Sequence, residues 1–172
     1  ITVSSSGYIK RTPVSLYRTQ HRGGKGVTGM TTKEEDFVEN LFVASTHAYI
    51  LVFTDKGKVY WIKTYEIPQA GKTARGKAIV NLLNISSREN VSAVLPVNSF
   101  DTDGYVVMAT RKGIIKKTDL KAYSRPRSNG IVAITIDKDD SLIGVDLTNG
   151  SREIFLGTNN GMAIRFKEED VR

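Results

Sequence analysis

The stretch that decides the fold is Leu51–Lys63, "LVFTDKGKVYWIK". An apolar run ends at Thr54. Two polar residues follow, then Gly57, then a second run. Glycine after two polar residues supplies the left-handed backbone conformation of a tight hairpin, so this spacing predicts two antiparallel strands that meet at Gly57. The same pattern stands in "ITVSSSGYIKR" (Ile1–Arg11), "VMATRKGIIKK" (Val107–Lys117) and "FLGTNNGMAIRF" (Phe155–Phe166). The anchoring glycines are Gly7, Gly57, Gly113 and Gly161. They recur at intervals of about 50 residues, the range of blade-like repeats.

A second mark recurs with the first. Gly26 follows Gly7, Gly76 follows Gly57 and Gly130 follows Gly113 at a nearly constant interval. They open "GVTGM", "GKAIVNLL" and "GIVAITI", each read as a further strand. Runs such as "AYILVF" and "YVVMA" are apolar on both faces, as strands covered on both sides are. No long 3.6-residue period appears, and "TKEEDFVEN" and "FKEEDVR" are acidic turns or single helical turns at most. The expectation is an all-β, propeller-like array of four-stranded blades of about 50 residues. A β-sandwich with chance similarity between hairpins would not explain two matched spacings. The chain of 172 residues holds about three blades and the start of a fourth, with units near 1–50, 51–106, 107–154 and 155–172, in a single partial domain. The opening "ITVSSSGYIKR" reads as the middle of a strand, which suggests a piece of something longer.

Composition narrows the function. No apolar run approaches the ~18 to 20 residues that cross a bilayer. There are no cysteines, which removes disulfides and thiolate chemistry and fits a cytoplasmic protein. The net charge is +7 and the pI about 9.6, a balance that favours polyanions. The cations fall in three blocks, each between a hairpin glycine and its second glycine. The first holds Lys10, Arg11, Arg18, Arg22 and Lys25. The second holds Lys56, Lys58, Lys63, Lys72, Arg75 and Lys77, and the third Arg111, Lys112, Lys116, Lys117, Lys121, Arg125 and Arg127. Together they take 18 of the 25 Lys and Arg, while only Glu66 and Asp119 break the blocks. Equivalent positions of a blade array share a face, so the blocks predict one positive track suited to double-stranded DNA. Few aromatics interrupt them, which favours backbone contact over base stacking.

Within the first block lies "QHRGGKG", Gln20–Gly26. Its glycines let amide N–H groups approach an anion. Arg22 offers a two-donor fork, Lys25 a mobile charge, Gln20 a neutral donor and His21 a ring that can become cationic beside phosphate. It lacks the GxxxxGK[ST] spacing of a nucleotide-binding loop. A plain basic surface turn is the bland alternative.

This heptapeptide resembles the gyrase A box, Q-R-R-G-G-K-G, of the C-terminal domain of the DNA gyrase A subunit. The stretches "GYIKRTPVSLYRTQ", "FVASTHAYILVFTDKGKVY", "TARGKAIVNLL", "VMATRKGIIKKTDL" and "AIRF" resemble that family too, along essentially the whole chain. His21 departs from the arginine or lysine common there. The resemblance implies a β-pinwheel, a disc whose blades exchange strands, around whose basic rim DNA wraps with positive handedness for negative supercoiling. It assigns the box role to Gln20, His21, Arg22, Gly23, Gly24, Lys25 and Gly26. The rim role falls on Lys10, Arg11, Arg18, Lys58, Lys63, Lys72, Arg75, Lys77, Lys116, Lys117, Arg125 and Arg127. Partners implied are double-stranded DNA, the remainder of the gyrase A protein and the gyrase B protein, in a bacterial cytoplasm with no membrane. ATP and Mg²⁺ would act elsewhere in the holoenzyme, and no cofactor is expected in this chain.

Three other functions compete. The corresponding domain of topoisomerase IV has related blades but a degenerate box, against which the intact glycines argue. A protein-interaction propeller of the WD-repeat kind would carry a Gly-His…Trp-Asp signature that is missing. An enzyme would need a constellation that the chain does not offer. His21 and His47 are two isolated histidines, Glu34–Asp36 reads as a solvated turn, and "DKDD" (Asp137–Asp140) lacks the glycine and final glutamate of a calcium loop.

Overall fold

The computed structural model describes residues 1–17, 19 and 21–171. Its strands are β1 (Thr2–Ser4), β2 (Tyr8–Lys10), β3 (Val38–Leu41), β4 (Tyr49–Thr54), β5 (Lys58–Lys63), β6 (Lys77–Ala78) and β7 (Val91–Val97). They continue as β8 (Tyr105–Thr110), β9 (Ile115–Asp119), β10 (Ile131–Val132), β11 (Leu142–Thr148), β12 (Glu153–Gly157) and β13 (Ala163–Lys167). The remaining regular structure among the described residues is short 3₁₀ turns. No helix among them is long and apolar enough to cross a membrane.

All four expected hairpins form. Their glycines have φ of +76°, +76°, +89° and +80°, and each donates its N–H to the Ser or Thr carbonyl three residues back. The hairpins belong to four antiparallel sheets, ordered β3-β1-β2-β6, β10-β5-β4-β7, β11-β8-β9 and β12-β13. We number these sheets as blades one to four.

Strands cross between repeats. The segment after Gly76 forms β6, which pairs with β2 of blade one, and the segment after Gly130 forms β10, which pairs with β5 of blade two. Ile79 N–H donates to Gly7 O at 2.9 Å, and Ala133 N–H donates to Gly57 O at 2.8 Å, so each incoming segment also docks on the hairpin turn. The strand expected at "GVTGM" does not form: residues 26–30 lie outside every strand. A lone strand has no partner for its ladder groups, and among the described residues Gly26 meets no edge equivalent to the ones that receive Gly76 and Gly130.

Two apolar clusters lie between the blades and use both faces of the central hairpin. Ile50, Val52, Tyr60 and Ile62 pack toward Val3 and Ile9 of blade one. Leu51, Phe53, Val59 and Trp61 pack toward Val106, Met108, Leu120 and Tyr123 of blade three and its flank. Consecutive apolar residues therefore reflect a sheet with a neighbour on each side. The Trp61 ring N–H donates to Tyr123 O at 2.8 Å, which satisfies its polar atom within the cluster.

The acidic stretches that read as solvated turns do more than that. In each of the first three blades a carboxylate two residues ahead of the third strand reaches back to the hairpin turn. Asp36 accepts from Ser5 Oγ and from Ser6 N–H, both at 2.9 Å. Glu89 accepts from Thr54 Oγ1 at 3.0 Å and pairs with Lys58 Nζ at 3.4 Å. Asp140 accepts from Lys112 N–H at 3.0 Å. Burial alone would raise the Asp36 pKa, but hydrogen bonds from Ser6 N–H and the serine hydroxyls outweigh it and lower the value to about 2. The residue before the clamp is left-handed in two turns, Glu35 at φ 68° and Asp139 at φ 62°.

Candidate nucleic-acid interface

Strand exchange relocates the cationic blocks. Lys72, Arg75 and Lys77 belong to the second repeat in sequence but lead into β6, on the outer edge of blade one. Arg125 and Arg127 belong to the third repeat but lead into β10, on the outer edge of blade two. Each edge is thus dressed by a basic loop from the next repeat.

The box lies on the surface. Gln20 and Arg18 fall outside the described residues. His21, Arg22, Gly23, Gly24, Lys25 and Gly26 are all exposed. Gly24 N–H donates to His21 O at 3.0 Å, and Gly23 sits at φ +85°, so the glycines make a tight turn that holds Arg22 and Lys25 out. Downstream, Thr31 N–H donates to Thr73 O at 2.9 Å, which ties the segment after the box to the loop carrying Lys72 and Arg75.

The cations divide by what their side chains touch. Lys10 is fully buried, and its Nζ donates to Gly71 O at 2.8 Å and to Lys72 O. Burial lowers its pKa. It is therefore no surface contact, because its charge faces those carbonyls and not solvent. Arg11 Nε donates to Ile67 O at 2.7 Å and its Nη1 to Gln69 Oε1 at 3.0 Å. Lys58 is paired with Glu89, whose charge raises the lysine pKa. Lys63 Nζ donates to His47 O at 2.9 Å and lies 3.5 Å from the Tyr49 ring centre. Lys116 Nζ donates to Ala133 O at 2.7 Å, and Lys117 Nζ to Glu168 O at 2.6 Å. These six anchor loops of the fold. Lys72, Arg75, Lys77, Arg125 and Arg127 make no side-chain hydrogen bond or ion pair among the described residues. Arg22 and Lys25 are likewise without a side-chain hydrogen bond or ion pair among the described residues.

Two tyrosines of the first repeat stand beside these cations. Lys72 Nζ lies 5.3 Å from the Tyr17 ring centre, and the Arg75 guanidinium lies 5.5 Å from that of Tyr8. Nothing local marks these pairs, since each joins the first repeat to the second. No cluster of metal-ligating side chains occurs among the described residues.

A family model described as "DNA gyrase C-terminal domain, beta-propeller" matches residues 1–45, 48–98, 104–149 and 152–172. The chain is 49% identical over 172 residues to the DNA gyrase A protein of Haemophilus influenzae, covering 100% of this chain and 20% of that protein. It is 50% identical over 172 residues to the DNA gyrase A protein of Halalkalibacterium halodurans, covering 100% of this chain and 21% of that protein. The chain thus spans about a fifth of the length of the curated relatives it matches. Among solved structures, the C-terminal domain of a DNA topoisomerase IV matches with TM-score 0.84 and 32% identity, over 99% of this chain and 52% of that one. A DNA gyrase A C-terminal domain matches with TM-score 0.74 and 22% identity, over 99% and 55%, a likeness that bears on the fold alone.

Proposed function

The chain belongs to the DNA gyrase C-terminal domain family, and on that premise we propose that it binds double-stranded DNA along its blade edges and bends it into a handed wrap. What supports this reading is a set of cations without a side-chain hydrogen bond or ion pair among the described residues: Arg22 and Lys25 in the box, Lys72, Arg75 and Lys77 leading into the edge strand of blade one, and Arg125 and Arg127 leading into that of blade two. A duplex carries one negative charge per ~1.7 Å, so a row of fixed cations displaces its counterions and holds its backbone with little sequence readout. The wrap would be delivered to the strand-passing machinery of a type II topoisomerase, made by the rest of the gyrase A protein and by the gyrase B protein in the cytoplasm. ATP and Mg²⁺ act there, and this chain supplies no catalytic group.

The topoisomerase IV reading draws support from the 32% identical structural relative. The gyrase reading is favoured by 49% and 50% identity to gyrase A chains over the full 172 residues and by the intact glycines of the box.

The test is ligation of nicked plasmid in the presence of the chain, followed by resolution of the topoisomers. A positive shift that Arg22→Ala/Lys25→Ala abolishes supports wrapping directed by the box. Retention of duplexes with no shift would reject wrapping by these blades, and no retention at all would reject DNA binding.

A further inference from the structure

We propose that the loop Gly71–Gly76 is a second phosphate cradle, built for the backbone of a duplex, and that buried Lys10 is the residue that aims it; this rests on the DNA-binding reading above. The sequence "GKTARG" puts Lys72 and Arg75 four and one residues ahead of Gly76, as "HRGGKG" puts Arg22 and Lys25 four and one ahead of Gly26. Gly76 follows Gly57 at the same interval as Gly26 follows Gly7, so the two loops are equivalent by repeat. Unlike the box, the 71–76 loop is seated on a neighbour. A Cβ at Gly76 would clash with Ile9 O, so the loop lies directly on β2.

The backbone of this loop has a polarity. The carbonyl that leads into it and its first three accept hydrogen bonds: Ala70 O from Thr12 Oγ1, Gly71 O from Lys10 Nζ and Ala74 N–H, Lys72 O from Lys10 Nζ, and Thr73 O from Thr31 N–H. The N–H groups of Lys72, Thr73 and Arg75 have no acceptor among the described residues. Amide N–H groups left without acceptors beside two cations are donors of the kind that bind phosphate. Both cations are pre-placed by rings, Lys72 on Tyr17 and Arg75 on Tyr8, and Arg75 Nε is buried without an acceptor among the described residues. Lys10 touches no solvent, so its ammonium acts through the two carbonyls and not on the ligand. It is a positioning residue.

The test measures duplex affinity from about 50 to about 200 mM salt, the range over which counterion release is read. It compares the chain with Lys72→Ala/Arg75→Ala and with Lys10→Met, and follows the amide resonances of residues 72–76 in parallel. Losing two phosphate contacts flattens the log–log slope by about 1.8, since each contact contributes ~0.9. The double variant should show that flattening. Lys10→Met should keep the slope, weaken binding at every salt concentration, and abolish the DNA-induced shifts of the Lys72, Thr73 and Arg75 amides. Lys10→Gln, which keeps an N–H₂ donor near the same carbonyls, should restore part of those shifts. A parent chain that binds while the double variant keeps its slope overturns the cradle and leaves the DNA reading standing. A parent chain that fails to bind overturns both. Amide shifts that persist in Lys10→Met, or a Lys10→Met chain that does not fold, assign the lysine to the core and overturn its aiming role.

Discussion

At the residue scale, the most informative side chains are ones whose type misleads. Lys10 sits in a basic block and is buried, while Asp36 and Asp140, in acidic stretches, and Glu89, a lone carboxylate beside Arg88, close turns. A carboxylate whose folded pKa is depressed stabilises above its unfolded value of ~3.9 and ceases to do so as pH falls through the folded value. For Asp36 that folded value is about 2, so its contribution is lost between roughly pH 4 and pH 2. The thermal midpoint should fall over that window, and Asp36→Asn should show a lower midpoint at pH 6 with a shallower acid fall. An equally steep fall in the variant would remove Asp36 from the clamp. Glu35 and Asp139 point the other way. Both hold a left-handed backbone that glycine adopts freely. Glu35→Gly and Asp139→Gly should each stabilise by roughly 0.5–1 kcal/mol in denaturant unfolding. None of this was legible along the chain. The clamp bonds of Asp36, Glu89 and Asp140 span 31, 35 and 28 positions of sequence, so no local pattern marks the turns they close.

At the element scale, the hairpins were legible because every determinant is local: a hydroxyl residue, two polar residues, a glycine and apolar runs on both sides. The strands after the second glycines were legible locally as strands, whereas their exchange between blades was an expectation of the family resemblance alone. Pairing of Lys77–Ala78 with β2 depends on a surface made far earlier in the chain. "GVTGM" carries the same local signal as its equivalents and forms no strand, which shows that the partner edge, and not propensity, makes these short strands. The hairpin glycines divide on the same ground. A Cβ at Gly57 would collide with Ile134 O, in the segment docked from the third repeat, whereas a Cβ at Gly113 meets nothing within 4 Å. Gly57→Ala should therefore cost about 2–4 kcal/mol, combining left-handed strain with overpacking, and Gly113→Ala about 1 kcal/mol. Equal losses in urea unfolding would show that the docked segment gives way freely.

At the scale of the whole molecule, the uncommitted cations are fewer than the blocks suggest. Among the residues expected in the box and on the rim, Arg22, Lys25, Lys72, Arg75, Lys77, Arg125 and Arg127 make no side-chain hydrogen bond or ion pair within the described residues. Neutralising about seven phosphates would give a log–log salt slope of about −6, whereas a slope of about −1 would mean that the edges do not act together. The interlock also sets a timetable for synthesis. β2 ends at Lys10 and its partner begins at Lys77; β5 ends at Lys63 and its partner begins at Ile131. With a gap of about 70 residues and synthesis at ~5–20 residues per second, each edge of a nascent chain stays bare for roughly 3–14 seconds. A bare edge invites the edges of other nascent chains. Lys10 and Arg11, and Lys58 and Lys63, lie on or beside those two edges, and charge is what keeps an open edge from pairing with the wrong one. Until the fold draws them onto its own carbonyls and carboxylate, these cations leave each open edge charged while the chain grows.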